Sequence, residues 1–597
     1  MPSRIPLLGK TASLVDLRIY RAAFIPVAIA LVTVMFSIQD RPAPLTTALA
    51  PDVFDSKGVY ETTGEIVRRA PDRRPGSDGD AAIARLVEGR LQSLPGFETK
   101  RDEFTAEVDG KKVSATNVIG TVSGPSQRQV VLMAPRDAAG RPGASSAADT
   151  AILLELAKVI AGVRHSKTMV FVSTDAATAD SAGVRHFAAD YPDRGKVDAA
   201  LVIDDIAAAT AKRPFLIPWA GDDKRGSLQL VRTAEVALQR ELSSDVGSYS
   251  LPGQFIRLAW PLTLRQQGPL VTEDIDALTL SAGGEVPRGT GPDPIEDVSR
   301  LRAAHFGRAS LTTLLALDSL ETESSPPSSL ALGRKLIPGW AISLLGFALL
   351  APVLIAALDG FARARRRSLP VGRWMRWTLA ASVPFLVLFA SAFVFELLDW
   401  LPATASEAIS PPSRPTFAEA APALCALALL FAVAWLVLRP AAMGPERVHG
   451  EDTYEEAVAV AMVLSFGLLL LWLANPFAML LMVPAAHLCL LFALPGSRGR
   501  PGLVVATVLA TLLLPVLALL YYGSRFDLGL DISRYALLLV TGGGSLWNVI
   551  LTSVIAGSLL SLVAVAMSRR EPEAVQEITI RGPSTYAGPG SLGGTEY

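Results

Sequence analysis

At 597 residues the chain is too long for one ordinary domain, and with 50% of its residues apolar it departs from the composition of a soluble protein. A net charge of −1 gives no electrostatic footprint for binding nucleic acid. Its two cysteines, Cys425 and Cys489, both lie in apolar stretches near the C-terminus, which excludes a disulfide framework or a thiolate metal site in the polar part of the chain.

The first apolar run, 22–38, follows Arg4, Lys10, Arg18 and Arg21. A secretory signal is one reading of it, because Ala48-Leu49-Ala50 resembles a cleavage site. That site lies far beyond the run, so we read an uncleaved anchor after a cytoplasmic N-terminus, 1–21. Residues 41–335 then form an extracytoplasmic domain. Within it Ser77 and Asp78 are placed to cap a helix at 81–93, and short apolar strands stand at 117–122 and 130–134. A helix at 149–162, strands at 168–173, 199–203 and 277–281, and a helix at 300–317 follow. This alternation predicts an α/β fold: a three-layer sandwich around a central, mostly parallel sheet. Sites in such sheets form at the carboxyl ends of the strands, where Asp137, Asp175, Asp204 and Asp205 recur.

From 336 to 567 the chain reads as an α-helical membrane bundle, with spans near 337–358, 377–398, 420–438, 457–474, 476–494, 503–522 and 546–567. With the anchor this makes about eight. The stretch 535–544 is too short to span and reads as re-entrant or interfacial. The loop 363–376 carries six arginines, Arg498 and Arg500 mark a later loop, and Arg569 and Arg570 follow the last span. By the positive-inside rule both termini are cytoplasmic and the 399–419 loop is outside. The tail, 568–597, reads as disordered. Heavy use of Ala, Arg and Gly points to a GC-rich genome and a bacterial plasma membrane.

Six segments of the polar domain, in order, resemble metallopeptidase family twenty-eight, the zinc aminopeptidases and their relatives. They are Arg74-Pro75-Gly76-Ser77, Thr116-Asn117-Val118-Ile119-Gly120, Val130 to Asp137, and Pro142-Gly143-Ala144 with the helix through Leu153-Leu154-Glu155-Leu156-Ala157. Val170 to Asp175 and Ile203-Asp204 complete the set. The resemblance implies two zinc ions bridged by a carboxylate, with a glutamate as general base. It puts the first histidine ligand at Pro135, and the aspartate that orients it at Asp137. The bridging aspartate falls on Ser146, the base and its neighbouring ligand on Ala177 and Thr178, and a later ligand on Asp204. The last histidine is due around 286–290, where none occurs; His305 lies inside a helix pattern. Neither 133–149 nor 173–182 contains any His or Glu.

The site therefore reads as degenerate, with no catalytic residue and no metal, zinc belonging only to the opposite reading. Asp137, Asp149, Asp175, Asp204 and Asp205 could gather round a hard cation, but read more simply as strand-end and helix-cap residues. Ser145 and Ser146 read as a loop leading into a helix. A nucleophile there needs a base, and His165 and His186 sit in polar surroundings. In the bundle His487 lies deep within a span, where an ionisable group is either functional or a neutral helix–helix hydrogen bond.

In plan the chain is similar to the glycosylphosphatidylinositol transamidase attachment subunit. The expected function is binding of a peptide, protein or lipid-linked partner in the former substrate groove, at the outer face of the bilayer. The alternatives are an active membrane-bound zinc exopeptidase with a rearranged metal site, and a transporter or lipid-handling protein acting through the bundle.

Overall fold

The structure is a computed structural model that describes residues 14–45, 53–108, 110–209, 215–242, 246, 249–289, 291–319, 327–398, 400–401, 417–443, 455–494, 497–526, 528 and 546–568. The stretch 535–544, the tail beyond 568 and most of the loop 399–419 lie outside the described residues.

Gln39–Asp40 (β1) pairs with Lys335–Pro338 (β10), which pairs in turn with Ser329–Leu332 (β9). This small antiparallel sheet ties together the two chain crossings between the polar domain and the bundle. The central sheet comprises Phe97–Val108 (β2), Lys111–Val122 (β3), Ser126–Pro135 (β4), Lys167–Thr174 (β5), Val197–Ile203 (β6), Phe215–Ile217 (β7) and Ala277–Ser281 (β8), in the order β2-β3-β5-β4-β6-β8-β7. Strands β5, β4, β6 and β8 are mutually parallel, as the sequence predicts, and antiparallel strands flank them on both sides.

The parallel strands are buried on both faces, so each reads as a continuous apolar run rather than an alternation. Their side chains still separate with period two. Leu132, Phe171, Leu201 and Ile203 enter one core with the helices Ser56–Arg69, Asp78–Gln92, Ala144–Ala161 and Arg300–Ser319. Val131, Met133, Val170, Val172 and Val202 enter the other, under Ala182–Asp190 and Gln267–Thr272. These are the three layers.

Asp78–Gln92 starts where predicted: the Ser77 hydroxyl accepts the Asp80 N–H at 3.1 Å, and Ile83, Val87 and Leu91 share the buried face. The helix read at 149–162 begins earlier, at Ala144. Gly143 permits this, with φ +71°; a Cβ there would stand 2.5 Å from that of Ala138. Ser145 and Ser146 thus belong to the first helical turn, not to a loop.

Among the described residues seven helices have the length and hydropathy to cross a bilayer: Leu17–Ser37, Gly339–Arg366, Val371–Leu397, Ala421–Met443, Glu455–Ala474, Pro501–Phe526 and Leu546–Met567. The remaining predicted span, Pro476–Leu491, is an apolar helix of 16 residues, about 24 Å at 1.5 Å per residue and short of the roughly 30 Å of a bilayer core. Its surroundings nevertheless take it the full length of its neighbour. Asn475 at its start donates to the Leu258 carbonyl of the α/β domain at 2.8 Å, while Arg498 beyond its end pairs with Glu456 at the far end of Glu455–Ala474. Ile25, Ile29, Val32, Met35 and Phe36 stay exposed on the first helix, as lipid-facing residues do. Arg363, paired with Asp16 at 3.0 Å, and Arg498 both lie at the bundle end remote from the α/β domain.

Candidate functional site

The chain leaves β4, β5, β6 and β8 at one sheet edge, through loops beginning at Arg136, Asp175, Asp204 and Ala282. Between these loops is a cavity of about 110 Å³ whose lining includes Pro135, Asp137, Ser146, Ala177, Thr178 and Asp204. The six positions singled out in the sequence therefore converge on one place.

Asp137 is fully buried and serves as an internal cap. Its carboxylate accepts the N–H groups of Ala177 and Thr178, each at 2.9 Å, and the Thr178 hydroxyl at 2.7 Å. Burial, and then the charge of Asp175, push its pKa up to about 6 against these hydrogen bonds. Asp149 caps the loop after β6, accepting Asp205 N–H at 2.6 Å and Ile206 N–H at 3.1 Å. Its burial beside Asp204 and Asp205 raises its pKa well above the usual carboxylate range. Asp175 accepts Thr116 N–H at 2.8 Å and Ala176 N–H at 2.7 Å.

Asp204 and Asp205 have cationic partners that the sequence reading did not find. Arg265, almost wholly buried, pairs with Asp204 at 2.8 Å and with Asp205 at 3.6 Å. Arg288 pairs with Asp205 at 2.7 Å and Asp293 at 3.2 Å. Burial works against the charge of Arg265, but Asp204 and Asp205 outweigh it and hold the guanidinium above its ordinary pKa. The Arg265 guanidinium is further fixed by the carbonyls of Gly284, Glu285 and Val286 at 2.9, 3.2 and 3.0 Å. Arg288 stands in the very segment where the resemblance puts the last histidine.

Asp293 also accepts both the N–H and the hydroxyl of Ser145, at 2.9 and 2.8 Å. Ser146 accepts from the buried Arg73 at 3.1 Å, and Arg73 also binds the carbonyls of Ala70, Arg136, Pro142 and Gly143. Among the described residues no histidine reaches either serine. His165 bonds Lys167 O, His186 stacks on Phe104 between Asp102 and Asp190, and His305 faces Glu241. A Ser–His nucleophile is not assembled.

These donors do not fit a zinc ion. Imidazoles and carboxylates are required, and the positions hold a proline, a serine, an alanine and a threonine, with two guanidinium groups against the remaining aspartates. Among the described residues no group of three or more His, Cys, Asp or Glu could hold a metal.

Behind the pocket Arg136 is completely buried between Asp80 at 2.8 Å and Asp175 at 2.9 Å. Burial raises the Asp80 pKa, Arg136 pulls it down and Asp175 pushes it up again, leaving it at about 7 against an ordinary 3.8. A carboxyl raised on folding stabilises the folded chain in acid and loses that contribution as pH rises through its folded pKa. The thermal midpoint is therefore expected to fall as pH rises from about 4 to about 7, and Asp80→Asn to flatten that slope. An unchanged slope in the variant would show that Asp80 does not carry it.

His487 lies where Leu17–Ala22, Gly339–Arg366 and Pro476–Leu491 meet. Its Nε2 faces the Leu349 carbonyl at 3.0 Å and its Nδ1 the Tyr20 hydroxyl at 2.8 Å. A carbonyl only accepts, so the hydrogen-bond network assigns the proton to Nε2 and has Tyr20 donate to Nδ1. Both ring nitrogens are used within the helix packing.

Residues 117–253 match the model of Peptidase family M28. No curated protein sequence matches the chain. Among solved structures it is similar to a Zn-dependent exopeptidase from Parabacteroides distasonis, at 16% identity over 45% of this chain and 99% of that one, with a TM-score of 0.37. It is also similar to BSAP, a zinc aminopeptidase from Bacillus subtilis, at 12% identity over 46% and 98%, with a TM-score of 0.37. A third similar structure is glutaminyl cyclase from Porphyromonas gingivalis, at 15% identity over 44% and 98%, with a TM-score of 0.35. The match to Peptidase family M28 falls within the α/β domain, and the chain also has a set of long apolar helices.

Proposed function

We propose that this is a membrane-anchored aminopeptidase-like protein without peptidase activity, whose α/β domain binds a peptide, protein or lipid-linked partner at the outer face of the membrane. The observation that carries the reading is the pair of salt-bridged arginines, Arg265 and Arg288, set against the aspartates at the sheet edge. A dinuclear site holds two dications with anionic ligands and polarises a bound water through them. Here fixed organic cations balance the carboxylates, and a guanidinium has no open coordination position at which to activate water. The cavity retains hydroxyls at Ser146 and Thr178, and Asp204 at its wall, which suit recognition of a polar chain segment.

The proposed sidedness, with the remote bundle end cytoplasmic, rests on the basic residues at that end and the positive-inside rule. Transport through the bundle gains no support from His487, whose hydrogen bonds are those of a structural helix contact. The reading is tested on the full chain in detergent, exposed to zinc and dialysed, by elemental analysis and by assay on aminoacyl chromogenic substrates. Far less than one zinc per chain and no turnover are expected. About two zinc ions per chain with turnover, as the dinuclear mechanism requires, would overturn it.

A further inference from the structure

The loop between β5 and the helix Ala182–Asp190 departs from ordinary backbone geometry. Ala176, Asp180 and Ser181 have φ of +52°, +50° and +55°, in the left-handed region that residues other than glycine rarely adopt. Such residues persist only where their surroundings hold them, and they gather at clamps and switch segments. Ser181 does not offset the cost by capping, since its side chain accepts no N–H of the helix it precedes.

Asn117 staples the two ends of the loop together, accepting Asp175 N–H at 3.1 Å and donating to the Gly183 carbonyl at 2.9 Å. The ends are in such close contact that a Cβ on Gly183 would stand 2.2 Å from the Asp175 carbonyl oxygen. Between the staples the loop is tied back to the sheet edge by Asp137, which accepts the N–H groups of Ala177 and Thr178 and the Thr178 hydroxyl. The N–H groups of Ala179, Ser181 and Ala182 bond to carbonyls within the loop itself.

Two cavities meet at this loop. Ala177, Thr178 and Ser181 line the sheet-edge pocket, whose volume of about 110 Å³ falls below the roughly 300–1,000 Å³ of ligand sites. Asp180 and Ser181 line a second cavity of about 380 Å³, walled also by Ala188, Ala189, Gly221 and Gly268. Ser181, Leu264 and Arg265 belong to both walls. Arg265 is held by its ion pairs, so the movable part of the partition is the loop.

We propose that 176–182 is a flap dividing one binding groove. Released from Asp137, it turns about the Asn117 staple, the two cavities become one, and a chain segment too long for the sheet-edge pocket enters. The inference rests on the reading of the sheet edge as a binding site. Its test needs no ligand, so the flap can fail while that reading stands, and zinc uptake with turnover can overturn that reading while the flap stands.

The full chain in detergent is compared with three variants by hydrogen exchange. Asp137→Asn should speed exchange of 176–182 about tenfold, the effect of losing a charge-assisted hydrogen bond. Thr178→Val, which removes the hydroxyl alone, should give a smaller rise. Ser181→Gly should slow exchange about threefold, because glycine adopts the left-handed conformation without cost. Unchanged exchange in both Asp137→Asn and Thr178→Val, a rise shared equally by β4 and β6, or faster exchange in Ser181→Gly would each overturn the flap. The joining of the cavities is read from a Ser146→Cys background, by site-resolved alkylation with iodoacetamide and with fluorescein maleimide, a reagent larger than the closed pocket. The maleimide-to-iodoacetamide rate ratio at that thiol should rise with Asp137→Asn and Thr178→Val and fall with Ser181→Gly. A ratio that does not change across the three would overturn the joining.

Discussion

Replacing Arg136 by Met is expected to destabilise the α/β domain by about 3–5 kcal/mol, because it leaves Asp80 and Asp175 buried with no cation between them. For a domain of this size the thermal midpoint should drop by roughly 10 °C. The guanidinium also donates to the carbonyls of Ser173 at 3.1 Å and Thr116 at 2.5 Å, so the loss reaches the ends of β3 and β5 beside the pocket. Met fills similar volume, so little of the effect is cavity formation. The electrostatic account is checked by adding Asp80→Asn to the Arg136→Met background. Removing one orphaned carboxylate should restore part of the lost stability, whereas Asp80→Asn alone should cost far less than Arg136→Met. A loss below about 1 kcal/mol for Arg136→Met would mean that the triad is solvated and that Arg136 does not hold the two carboxylates together.

The contrast between Arg136 and Arg265 shows where the sequence was informative. Buried parallel strands such as Val130–Ala134 and Val170–Ser173 announce themselves as apolar runs, and the helix after Gly143 by its unbroken Ala and Leu content. The aspartates at the strand ends were visible too, and their capping role follows from position. Arg265 and Arg288 were not visible. Each lies in a loop without periodicity, and each acquires its meaning only when β6 and β8 become neighbours across more than 70 residues of chain. The one signal available was the absence of His at 286–290 with Arg288 in its place. The helix Leu251–Ala259 escaped as well, because Leu-Pro-Gly-Gln at its start reads as a turn and nine residues carry little pattern. Its apolar face is explained only by the membrane helices it lies on.

That seam supplies the second large effect. Glu285 is buried at the junction, where it accepts from Arg257, from Arg525 at 2.7 and 3.0 Å, and from the Tyr249 hydroxyl at 2.8 Å. Burial alone would raise its pKa, but Arg257 and Arg525 hold it below the ordinary value, so it stays ionised. Arg257 has almost no exposure and is packed against Trp219, Tyr521, Tyr522 and Phe526. Glu285→Gln should therefore cost about 3–5 kcal/mol in docking the domain on the bundle, since the buried Arg257 cation loses the carboxylate it pairs with. Arg525→Gln should cost about 1 kcal/mol or less, because Arg525 is partly exposed and the Arg257–Glu285 pair survives it. Hydrogen exchange reads the difference: amides of 251–259 and 282–289 should exchange much faster in Glu285→Gln, while those of β4 and β6 stay protected. Equal exchange in the two variants would remove the special role given to the buried pair. The same loop carries the carbonyls of Gly284, Glu285 and Val286 that fix Arg265, and Arg265 fixes Asp204. A ligand that displaces Arg265 in the pocket is then expected to loosen the loop that carries Glu285. Protection of 282–289 that responds to Glu285→Gln but not to Arg265→Leu would show that the two ends of the loop move independently.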